Sequence, residues 1–139
     1  MSLFRIFEAA GTGLNAQSVR LNTTASNLAN ADSVSSSTET TYRARHPVFS
    51  TLLFENQGDV PGEASGVRID RIVESKAPLR SEYRPDHPLA NKDGYIFRSN
   101  VNVVEEMANM MSANRSFTSN LEVMNATKQM LLRTITLGK

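Results

Sequence analysis

The chain has 139 residues, no cysteine, and a formal charge of +1 from 15 Lys+Arg against 14 Asp+Glu, so by length it is one ordinary domain. A balance this even leaves no electrostatic footprint for nucleic acid or an anionic membrane surface. The missing thiols exclude disulfides, thiolate chemistry and Cys-ligated zinc.

Residues 3–29 read as a first long helix. Leu3, Phe7, Ala10, Leu14, Leu21, Ala25 and Leu28 share one broad face, and Ser2 can cap it. The helix is intrinsically weak. Gly11 and Gly13 sit inside it, each costing about 1 kcal/mol against Ala. Thr23 and Thr24 are β-branched, and Asn15, Asn22, Ser26 and Asn27 compete for backbone hydrogen bonds. The expectation is poor order in isolation and helix on packing. This opening stretch also lacks a basic region followed by a continuous apolar core, so any export is expected to use a route that reads no cleaved leader. No run of about 18 apolar residues is present to cross a membrane.

From Ala31 to Thr41 the run DSVSSSTETT has no apolar period and reads as a polar loop. Tyr42–Phe54 is a strand candidate broken by Pro47. Gly58, Pro61, Gly62 and Gly66 punctuate a turn-rich link. Val67–Val73 alternates as a strand, with Val67, Ile69 and Val73 inward and a slip at Ile72. Pro78, Pro85 and Pro88 predict irregular chain. Asn91-Lys92-Asp93-Gly94 is a strong turn signal, and Tyr95–Phe97 is the short strand leaving it.

Residues 102–136 read as the second long helix. Val103, Met107, Met110, Asn114, Phe117, Leu121, Met124, Lys128, Leu131 and Ile135 step 4-3-4-3-4-3-4-3-4, a heptad register that predicts a seam lying against other helices. Asn100 or Asn102 can cap it, Glu105 and Glu106 sit favourably in its first turn, and Gly138 follows its last apolar pair. At 1.5 Å per residue the rod is about 50 Å long. A second stripe of Val104, Met111 and Leu132, with Ala108 and Met130 beside it, gives the helix more apolar surface than one partner covers. Its five methionines suit either several packing environments or plain core filling. Asn114 and Lys128 interrupt the seam; they either fix register or mark where it meets solvent.

Chemistry is sparse. His46 and His87 are the only histidines, each before a proline, and neither has the spacing of a metal or acid–base motif. Gly11-Thr12-Gly13 follows no strand and precedes no Lys-Ser/Thr, so it is not a phosphate loop. No Gly-x-Ser-x-Gly is present. No catalytic residue, metal site or cofactor is expected.

Two segments carry a family resemblance. LNTTASNLANADS, residues 21–33, is similar to a signature shared by rod, hook and hook-associated proteins, and residues 100–139 match at the other end. Together with HPLANKDGYIFRSNVNVVEEM, they make the chain resemble the bacterial flagellar basal-body rod proteins, within them the proximal-rod type. VSSSTETTY, residues 34–42, is longer than the short turn of many relatives, and Tyr42 aligns with their tyrosine. The resemblance implies a periplasmic rod subunit with no catalytic residue, exported unfolded by the flagellar type III apparatus without a cleaved signal. Its partners would be copies of itself, other rod proteins, the membrane ring and the export apparatus.

The expected fold is α+β and mainly helical. Residues 1–32 plus 100–139 form an antiparallel coiled-coil pair that builds an inner tube, and residues 33–99 a small β-rich or irregular central region. Candidate assembly residues are Phe7, Leu14, Leu21, Asn27, Leu28 and Asn30 at the N-terminal end. At the C-terminal end they are Met107, Met110, Asn114, Phe117, Leu121, Met124, Leu131 and Ile135. A soluble helical binding module or export adaptor, recognising a partner by groove packing, is the alternative.

Overall fold

The computed structural model describes residues 3–53 and 64–137. Two helices dominate it: α1 (Leu3–Ala29) and α2 (Val103–Leu137). Their bounds fall within a residue of those read from periodicity. Between them lie the strands β1 (Val34–Ser35), β2 (Arg45–Leu53), β3 (Ala64–Glu74), β4 (Arg80–Tyr83) and β5 (Tyr95–Arg98).

The helices run antiparallel. Arg20 donates from Nη2 to Asn109 Oδ1 at 3.2 Å, and lower on α1 Gly13 meets Asn120, further along α2. Small residues make this approach close. A Cβ at Gly13 would stand 2.7 Å from Asn120 Nδ2, and Ala113 of α2 is fully buried.

On another side of α1 lies the β2–β3 hairpin, an antiparallel ribbon. The chain therefore forms three layers: α2, then α1, then the hairpin. The hairpin is fastened where Val67 N donates to Thr12 Oγ1 at 3.2 Å, a contact possible only because Gly66 has no Cβ. Contrary to the sequence expectation, Pro47 does not break β2; it pairs with Ile72 inside the strand. In a two-stranded ribbon each strand has a free edge, so the missing N–H can face outward at no cost. The slip expected at Ile72 is not there, since Ile72 pairs with Pro47; the irregularity in β3 is a bulge two residues earlier. Val48 pairs with Arg71 and Phe49 with Ile69, leaving Asp70 opposite nothing. Ile69 and Val73 are half-buried, whereas Val67 is exposed. Gly58, Pro61 and Gly62, read as a turn-rich link, and Gly138 lie outside the described residues.

The second sheet has the order β1-β5-β4, antiparallel throughout. The Asn91–Gly94 turn leads into β5 as expected. Asn91 Oδ1 accepts from Asp93 N and Tyr95 N, both at 2.9 Å, and Gly94 takes φ +79°. The adjacent Tyr83 and Tyr95 rings meet edge to face at 5.2 Å. Two elements differ from expectation. Arg80–Tyr83, read as irregular chain, is a strand, and the loop before Tyr42 carries the two-residue β1. Neither has an apolar alternation to announce it; pairing with β5 supplies the order.

The core is thin and built mostly of small side chains: Ala10, Ala16, Ala44, Ala113, Val101 and Ile96. The accessible surface is 9790 Å², against about 7,100 Å² for a compact monomer of this mass.

Candidate assembly surface

The SNLAN segment ends α1, and its first asparagine is a clamp. Asn27 is fully buried. Its Oδ1 accepts from Arg45 N and from the Tyr42 hydroxyl, each at 2.9 Å, and its Nδ2 donates to Arg45 O at 2.8 Å. One amide side chain thus satisfies both backbone groups of Arg45, as a neighbouring strand would. Asn100 does the same from the other end. Its Oδ1 accepts from Ala44 N at 2.8 Å, and its Nδ2 donates to Ala77 O at 2.9 Å. Asn102 then caps α2, accepting at Oδ1 from Val104 N at 3.2 Å. Asn30 turns back on α1 and donates from Nδ2 to Ser26 O at 2.8 Å. The two ends of the molecule are therefore locked to each other through residues 42–45. Sequence periodicity missed Asn100 in this role, because a clamp has no period.

The helix seam follows a different line from the one predicted. Met110, Phe117, Met124 and Leu131 are half-buried. Alternating with them, however, are Glu106, Ala113, Asn120 and Thr127, three of them buried and Asn120 half-buried. The other half of the predicted seam faces out: Val103, Met107, Asn114, Leu121, Lys128 and Ile135 are all exposed. Close approach is the reason. The face of α1 turned to α2 includes Gly13, and small or short side chains at 113, 120 and 127 let the axes come together where Leu121 and Met107 would hold them apart. Asn114 and Lys128 mark where the heptad line meets solvent. Small residues on both helices were the signal for this register, and hydrophobicity alone does not read it.

On α1, Leu14, Leu21 and Leu28 are half-buried, and Phe7 is exposed. Among the described residues, two side-chain oxygens are buried without a hydrogen-bond partner, Gln17 Oε1 and Glu106 Oε2. Glu106 Oε1 lies 3.9 Å from Nδ1 of the half-exposed His46. His87 is a turn residue, its Nδ1 accepting from Leu89 N at 3.1 Å. Among the described residues no three His, Asp or Glu side chains converge as metal ligands, and no helix is long and apolar enough to cross a membrane.

The outward side of α2 is mixed. Val104, Met111, Leu132 and Met130 are more than half exposed, and Val103, Met107, Leu121 and Ile135 are exposed with them, among polar residues such as Asn114, Thr118, Asn125 and Lys128. Large apolar side chains left in solvent at this many points of one helix suit an interaction face.

Comparison with known proteins agrees at both ends. Residues 7–35 match the flagella basal body rod protein family, and residues 92–137 match the C-terminal family of flagellar basal body rod FlgEFG proteins. Over their whole length and that of the chain, the flagellar basal-body rod proteins FlgC of Salmonella typhimurium and of Escherichia coli O157:H7 are 48% identical to it. That of Yersinia enterocolitica is 46% identical over the same extent.

Proposed function

The chain belongs to the flagellar basal-body rod protein family, and from that membership and its exposed helix faces we propose that it is a structural subunit of the rod whose two helices form the inner wall of a tube. Residues 1–32 and 100–139 supply the wall, surrounding the export channel, and residues 33–99 sit outside it and set the spacing between neighbours. The subunit assembles with copies of itself and with other rod proteins, and meets the membrane ring and the export apparatus at the base. It reaches the periplasm through the type III apparatus without a cleaved signal. Torque passes along the wall because packed side chains resist compression. The role needs no cofactor and no catalytic step.

One observation carries this reading. Among the described residues α2 is covered by α1 along one side only, and its other side exposes large apolar residues among polar ones. A helical assembly needs heterologous contacts, in which one patch meets a different patch on the next subunit. The outward half of the heptad line, Met107, Leu121 and Ile135, is available for them.

Leu121 is the residue to test. It is 40% exposed, so Leu121→Asp leaves the helix pair intact while placing a charge in the contact with a neighbour. The expected outcome is normal protein level with loss of rod incorporation and of motility. Normal swimming by that variant would refute the proposal.

A further inference from the structure

We propose that Gly11 is a notch that receives Met111 from a second copy of this chain, with the two helices antiparallel and Glu8 of one copy beside Arg115 of the other. This rests on the rod-subunit reading and specifies one contact within it.

Glycine is a poor choice for a helix interior, and the chain's other α1 glycine has a reason to be there. Gly13 is pressed by Asn120. Among the described residues nothing presses on Gly11: a Cβ at that position would meet no atom within 4 Å. The described packing of one subunit therefore gives no reason for the missing side chain. Around it, Phe4, Phe7, Glu8, Thr12 and Asn15 line a shallow depression on α1, bordered at Thr12 by the hairpin. Phe4 is 72% exposed and Phe7 40%, so among the described residues the depression has an apolar rim open to solvent.

The matching ridge is on α2. Val104, Ala108, Met111 and Arg115 are all exposed and follow the spacing 4-3-4, the same as Phe4, Glu8, Gly11 and Asn15 on α1. Met111 stands 61% exposed, and its unbranched thioether is long enough to fill a notch left by a missing Cβ. Charge fixes the direction. With Met111 over Gly11 and the helices antiparallel, one turn back along α1 is Glu8 and one turn forward along α2 is Arg115. The acid and the base then face each other, and the guanidinium lies near the Phe4 ring. A parallel arrangement separates the two charges. Because groove and ridge lie on different helices, the contact is heterologous and propagates from copy to copy.

Three variants test the contact in cells. The Cβ of Gly11→Leu meets no described atom within 4 Å, so protein level is expected to be kept while motility is lost. Glu8→Arg and Arg115→Glu each lose motility, and the double reversal regains it. Since the chain has no cysteine, oxidation of assembled Asn15→Cys/Ala108→Cys protein gives a ladder of disulfide-linked multimers, and neither single variant does. Normal swimming by Gly11→Leu, failure of the double reversal to restore motility, or an adduct with a different rod protein in place of the ladder would each overturn the second-copy contact. Those results leave the rod assignment standing as long as Leu121→Asp still blocks incorporation. Motility retained in Leu121→Asp removes the rod-wall reading itself.

Discussion

At the scale of single residues, asparagines do what the thin core does not. Asn27 and Asn100 each hold backbone groups of the segment that leads into β2, and Asn27 is wholly enclosed while doing so. Replacing Asn27 by Ala strands Arg45 N–H, Arg45 C=O and the Tyr42 hydroxyl, at a cost of about 3 kcal/mol. Such a loss is a large fraction of the stability of any small domain. Amide exchange checks it: in Asn27→Ala the Arg45 amide loses protection, while the Asp93 and Tyr95 amides, held by Asn91 at the far end of β5, keep theirs. The asparagine was visible in the SNLAN motif and was expected at an interface between subunits. Within the chain its side chain holds three partners from a segment 15 to 18 residues away, and no local pattern encodes that return.

At the scale of elements, the heptad line of α2 divides. Met110, Phe117, Met124 and Leu131 turn toward α1, and Met107, Leu121 and Ile135 turn away. The division predicts opposite responses at adjacent positions. Ala113→Leu forces a larger side chain between two closely packed helices and costs about 1–3 kcal/mol. Asn114→Leu, one residue on and exposed, leaves stability unchanged or slightly raised. Urea titration of each purified protein in trimethylamine oxide, which favours burial, measures both midpoints. The seam read from hydrophobicity alone predicts the reverse order, with Asn114 the buried position. Gln17 and Glu106 weaken the pair further, since each holds a buried oxygen without a hydrogen bond, at about 1–3 kcal/mol apiece.

At the scale of the whole molecule, a single subunit is an unfinished object. Its surface exceeds that of a compact chain by more than a third, and its large apolar residues lie mainly on helix faces that no element covers. An isolated chain of this kind has little to offset the entropy of ordering two long helices. Purified protein at micromolar concentration is therefore expected to show much less helix by far-UV circular dichroism than the 27 and 35 residues of α1 and α2, and to gain it on assembly. A fully helical, monodisperse monomer by dichroism and sedimentation would count against assembly-coupled folding and favour a self-sufficient binding module.

Both helices, their limits and the Asn91–Gly94 turn were decided locally, by apolar period, by Asn102 as cap and by a glycine at positive φ, and a sequence carries such information without help. The strands β1 and β4 were not, because their residues have no alternation and take their order from β5. The face of α2 that meets α1 was not either. Two heptad lines compete there, and the more hydrophobic one does not win; closeness of approach at Gly13 and Ala113 selects the smaller. Only the folded pair decides which apolar residues are spent inside the subunit and which remain for its neighbours.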